Sequence, residues 1–91
     1  MRRAHLTDLN IATRVLLAAP AEDHQDIAQK LIRNAHTADK YRKKTGRAHP
    51  IWGAGSLADA CMGHIKAPLL KGCDAGYLAC LSTVVAALCM K

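Results

Sequence analysis

Phenylalanine is absent from these 91 residues, and Trp52, Tyr41 and Tyr77 are the only large aromatic side chains. An interior without large rings must be filled by alanine and leucine, which favours closely packed helices. A chain this short forms one modest core, so the expectation is a single helical domain over residues 1–91, with a homodimer as one way of burying more apolar area. A long hydrophobic run is also missing. The apolar tail from Leu78 to Met90 has 13 residues and contains Ser82 and Thr83, short of the ~20 needed to span a bilayer. That leaves a buried helix and no membrane partner as the expectation.

Paired Cys-x-x-Cys knuckles are lacking too. Cys61, Cys73, Cys80 and Cys89 are separated by 12, 7 and 9 positions, which fits neither a zinc finger nor a redox motif. They read as small core residues with free thiols. After Arg2 and Arg3 come His5, Thr7, Asp8 and Asn10 instead of a continuous apolar segment, so no signal peptide is expected and a reducing cytoplasm is. Serines and carboxylates are too scattered for a hydrolase or glycosidase site. No cofactor is expected and the chain is read as non-enzymatic.

Acid is scarce where base is dense. Residues 1–50 hold ten Lys/Arg against five Asp/Glu, a net of +5, whereas residues 51–91 hold three against two, a net of +1. The excess gathers in Lys40, Arg42, Lys43, Lys44 and Arg47, with no acid among residues 40–47. Such a cluster attracts phosphate, anionic lipid or an acidic protein surface. It equally suits a solvated helix end, where cations are favoured by ~0.3–1 kcal/mol each.

Helical patterning is clear in four places. Thr7 is a candidate cap for a first helix to about Ala19, with Leu6 able to staple onto Ile11. Pro20 starts a second helix that Gly46 stops, with Ile27, Leu31, Ala35, Ala38 and Tyr41 as its inward stripe and Ile32 alongside. The short Ala18–Ala21 connection makes these two an antiparallel hairpin. Ser56-x-x-Asp59 resembles a capping box opening a short third helix from Leu57, and an extended linker follows through Pro68 and Gly72. The last helix begins after Asp74, with Cys73 placed to staple onto Leu78, and carries Leu78, Leu81, Val85 and Leu88 at helical spacing. The expected fold is therefore all-α: a small bundle of three main helices plus one short helix, built on a long central hairpin.

Between helices two and three lies Arg47-Ala48-His49-Pro50-Ile51-Trp52-Gly53-Ala54-Gly55-Ser56. Trp52 flanked by cations can stack on a base or anchor a partner, or fold inward as a lid on the core. His49 before Pro50 is held extended. The Gly53–Ser56 amides ahead of a helix could receive an anion, or form an ordinary glycine turn with a serine cap. Cys61-x-x-His64 has the spacing of half a metal site, which Cys73 and Cys80 could complete. A thiol nucleophile there lacks an orienting third group. His24 and His36 read as exposed on the polar face of the long helix.

The combination Ala38-Asp39-Lys40-Tyr41-Arg42, Thr45-Gly46-Arg47-x-His49-Pro50-x-Trp52-Gly53-x-Gly55-Ser56-Leu57 and Tyr77-x-x-Cys80-Leu81 resembles a family of short, uncharacterised alphaproteobacterial helical proteins. The resemblance covers the central and C-terminal half of the chain and implies a helical fold, with no activity attached. In that family an acidic residue often stands where this chain has Ala54, and the Lys43-Lys44 pair is not general. The site expected from the residues themselves is Lys40, Arg42, Lys43, Lys44, Arg47, His49 and Trp52. Its expected ligand is an acidic protein partner, with nucleic acid as the alternative and a small Cys/His metal protein or enzyme third.

Overall fold

A computed structural model describes residues 4–64, 66–67 and 75–89, and its architecture is all-α. The element order is α1 (Leu6–Leu17), a short 3-10 turn (Ala21–Asp23), α2 (His24–Thr45), α3 (Leu57–Ala60) and α4 (Ala75–Cys89). No strand occurs among the described residues, and no helix there is long and apolar enough to cross a membrane. The linker through Pro68 and Gly72, and the Cys73 staple, lie outside the described residues.

Helix α1 starts earlier than Thr7 would have it. Its N-cap is His5, in extended conformation, and the Asp8 carboxylate reaches back to accept the His5 N–H at 2.8 Å. That places Asp8 third in the helix, where its carboxylate takes the amide of the cap residue in the manner of a capping box, and Thr7 inside the first turn. Leu6 is 83% exposed, so it does not staple onto Ile11. Helix α2, at 22 residues, is ~33 Å long. It ends where Gly46 turns left-handed, φ 76°, and donates its N–H to the Arg42 carbonyl at 2.7 Å.

Helix α4 packs along both α1 and α2, while α3 closes against the same pair. Leu16, Leu31, Leu57 and Val84 are the largest aliphatic side chains fully enclosed, with Cys61 and Cys80 among them. The small residues Ala12, Ala28, Ala35 and Ala38 are equally buried, which lets the helix axes approach closely in a core without aromatics. Polar ties fix the register. Asp8 also accepts from the Ala58 N–H at 3.0 Å, joining α1 to α3, and the Tyr77 hydroxyl donates to Asn10 at 2.9 Å, joining α4 to α1. Arg14 meets Ala67 twice, through its Nε and through its backbone carbonyl.

Two expected stripes are corrected. Tyr41 is not turned inward: its side chain stands 37% exposed at the far end of α2. On α4 the inward set is Cys80, Val84 and Ala87, while Leu78 and Val85 are 51% and 41% exposed and Leu81 and Leu88 only half-buried. The reason is that α4 carries no charged residue, so periodicity alone does not choose its face.

Candidate functional site

The segment from the last turns of α2 to the start of α3 is held by its own side chains. The Thr45 hydroxyl donates to the Tyr41 carbonyl at 2.8 Å and accepts the Arg47 N–H at 3.2 Å, carrying the chain past Gly46. His49 and Gly53 then exchange both backbone hydrogen bonds, at 2.7 and 3.1 Å, closing a tight loop over Pro50, Ile51 and Trp52. Inside that loop His49 Nδ1 accepts from the N–H groups of Ile51 and Trp52, at 3.1 and 3.2 Å. A nitrogen accepting both carries no proton of its own. His49 is thus an internal cap of the loop.

The rings stack in order. The imidazole of His49 lies parallel to the Trp52 indole, with centroids 4.7 Å apart and planes at 12°, and Tyr41 meets the imidazole in a T-shaped contact at 5.1 Å. Trp52 is half-buried in this stack. Its two sequence readings therefore meet in between: the ring orders the loop and still presents part of its surface.

The glycines after Trp52 are required by close approach. Gly53 has φ 77°, and a Cβ there would lie 2.6 Å from Asp59 Cβ; Gly55 has φ 101°, and a Cβ there would lie 2.8 Å from the Asp39 Cα. Both conformations disfavour side chains and both contacts leave no room for one. The Ala54 N–H donates to Asp59 Oδ2 at 3.0 Å, and the Ser56 hydroxyl caps α3 by accepting the Asp59 N–H at 3.1 Å. Ser56 therefore caps as expected. Asp59 reaches to Ala54 where a reciprocal capping box would have it return to Ser56, so an internal carboxylate already takes the amide that an external anion would need.

The cations divide into two kinds. Lys43 Nζ lies 3.1 Å from Oδ2 of the buried Asp39. That ammonium, more than any other group, holds the Asp39 carboxyl below its ordinary value near 3.8 against the opposing effect of burial. The pair's stabilisation is hence present above that value and fades as pH falls through the lower folded one. Lys40, Lys44 and Arg47 are exposed. Arg42 is half-buried, with its Nε enclosed and without a hydrogen-bond partner among the described residues. Ile51, at the loop's tip, is 73% exposed. Ile51 did not stand out in the sequence, because an isoleucine beside a proline carries no local signal; Asp59 stood out only as a capping-box partner of Ser56, and the approach of Gly55 to Asp39 and of Gly53 to Asp59 had no signal.

Of the Cys/His set, Cys61 is fully buried and its thiol is pushed up to about 12, chiefly by burial. Cys80 pairs with another histidine: its Sγ lies 3.6 Å from His24 Nδ1, whose Nε2 lies 2.9 Å from the Ala19 carbonyl oxygen. His24 is therefore half-buried, not on an exposed polar face, and His36 is half-buried as well. Among the described residues no three His, Cys, Asp or Glu side chains gather to hold a metal. Cys89 is exposed. With iodoacetamide at neutral pH, Cys89 is expected to be alkylated quickly, and Cys61 and Cys80 only on addition of denaturant, as peptide mass mapping would show. Equal labelling of Cys61 in the native protein would contradict its enclosure.

A family model described as Domain of unknown function (DUF7742) matches residues 2–88. No curated protein and no solved structure matches the chain.

Proposed function

The chain belongs to that family, and from this premise we propose that it is a small non-enzymatic interaction module that binds an acidic protein surface in the cytoplasm. The observation that carries the proposal is the Arg47–Gly53 loop. It is pre-shaped by backbone hydrogen bonds between His49 and Gly53 and by a ring stack, and it exposes both Ile51 at its tip and Arg47 at its start. Pre-organisation lowers the entropy lost on docking, and a loop with an exposed apolar tip and a cation at its start suits a partner with an apolar notch and an acidic rim. Lys40 and Lys44, one turn apart on α2, extend the charge. Like charges at that spacing slightly destabilise a helix, a cost offset when an anionic surface arrives.

A non-enzymatic role agrees with the use of the chemically capable groups: His49 caps a loop, His24 meets Cys80, and Asp59 and Asp8 hold amides. The short alphaproteobacterial proteins sharing the Thr45–Leu57 motif belong to the same proposal. The motif's glycines, histidine and tryptophan are those that build the loop, so relatives would present the same frame with different tips.

Nucleic acid is the second reading, favoured by the basic cluster itself. Lys43 is already matched by Asp39, and one face of Trp52 is taken by His49, so this reading has fewer phosphate contacts and less stacking surface than the sequence offered. Labelled single- and double-stranded DNA and RNA, titrated by fluorescence anisotropy, decide between them. We expect no saturable binding even at ~20 mM salt. Tight binding that weakens with a log–log salt slope of at least ~3, about 0.7–0.9 per phosphate contact, and that is lost in Lys40→Glu/Lys44→Glu would establish the second reading.

A further inference from the structure

Helix α4 carries no charge, and among the described residues only Cys80, Val84 and Ala87 of it are buried. Leu78, Ser82, Val85 and Cys89 are exposed at alternating spacings of four and three, and Ala75 continues the series. With Ala79 and Ala86 beside them they occupy an outer arc of about 120° at ~100° per residue. This is the a/d seam of a helix meeting another helix, two heptads long and without a charge. The exposed positions of α2, such as Gln25, Gln29, Lys30 and Arg33, are polar and offer such a seam no counterpart.

We infer that the occupant is a second copy of the chain, with the two α4 helices packed antiparallel about a two-fold axis at Ser82. Ser82 stands midway between Ala75 and Cys89. An antiparallel pair centred there sets Leu78 against Ala86 of the second copy and Val85 against its Ala79, large opposite small at both, and lets the two Ser82 hydroxyls bond each other, with Ala75 facing Cys89 at the ends. A parallel pair would set Leu78 on Leu78 and alanine on alanine, which leaves gaps. A cavity of about 410 Å³ adjoins the seam between α2 and α4, with Gln25, Gln29, Ser82 and Ala86 in its wall. Leu78 of the second copy, arriving at Ala86, would enter it. The strip is only ~22 Å by ~10 Å, well under the ~800 Å² per partner of a standard interface, so the dimer is weak and concentration-dependent.

Sedimentation equilibrium over roughly 5–500 µM should show a reversible monomer–dimer equilibrium. Because each copy carries +6, added salt should strengthen it, the reverse of what an acidic partner or nucleic acid on the basic face would show. Val85→Lys and Leu78→Lys, both at exposed positions, should keep the native far-UV spectrum and weaken association at least ~10-fold. Ser82→Cys in a Cys89→Ser background should form a disulfide-linked dimer on mild oxidation, whereas the natural chain should form no Cys89–Cys89 link. A protein monomeric throughout, or a dimer indifferent to both lysine variants, would overturn the interface. A Cys89–Cys89 link would overturn the antiparallel arrangement.

Discussion

Gly55→Ala is expected to lower stability by roughly 2–6 kcal/mol, from ~1–3 for a side chain at a left-handed backbone position and ~1–3 for overpacking. The added methyl would lie 2.8 Å from the Cα of Asp39, which is backbone in the middle of a long helix and cannot swing aside. Relief would require the loop to lift from α2, breaking the approach that seats Ser56 and α3. For a domain of this size the loss corresponds to a fall in Tm of more than ~10 °C. Gly46→Ala is the control. It has the same sign of φ but nothing within 4 Å of the new methyl, so it should cost only ~1 kcal/mol or so. Thermal melts followed by circular dichroism compare the two, and equal melting temperatures would show that the loop does not rest on Asp39.

Leu31→Ala is expected to cost roughly 2–5 kcal/mol, comparable with the whole stability of a small domain. Leu31 is 1% exposed and belongs to the same core cluster as Leu16, Ile32, Leu57 and Val84, so the cavity left behind cannot be filled by one neighbour. Leu81→Ala should cost clearly less, since that side chain is half-buried. Val84→Ala should exceed Val85→Ala for the same reason. Denaturant midpoints at constant m-value report these differences. If Leu81→Ala matched Leu31→Ala, the side of α4 facing the core would be the Leu78–Leu81–Val85–Leu88 stripe after all.

What could be read from the sequence follows the range of the forces involved. The Gly46 stop and the Ser56 cap are local, set by the preferences of one residue and its neighbours within a turn, and both were legible. So were Leu31 and Ala35 on α2, whose polar face contrasts sharply with its apolar one. The face of α4 was not, because a helix without charge offers no contrast to read. The loop was half legible: its glycines announced a turn, but Asp39 behind Gly55 and Asp59 beneath Gly53 are contacts made only in the folded chain. Trp52 and His49 were visible as unusual residues, yet their stacking, and the use of His49 Nδ1 on two amides, depend on a ring geometry that composition does not encode. Lys43 appeared unopposed along residues 40–47, and the acid that answers it stands just outside that window, at Asp39.

The proposed role rests on the basic loop meeting an acidic protein. Affinity capture from nuclease-treated cell extract, run side by side with the wild-type chain and with Ile51→Asp/Arg47→Glu, measures this directly. Both substituted side chains are exposed, so the variant should melt as the wild type does. The account predicts one acidic protein recovered in stoichiometric amount by the wild type, unaffected by nuclease, released by salt and absent from the variant's eluate. Recovery that disappears with nuclease, or that the variant retains in full, would contradict it.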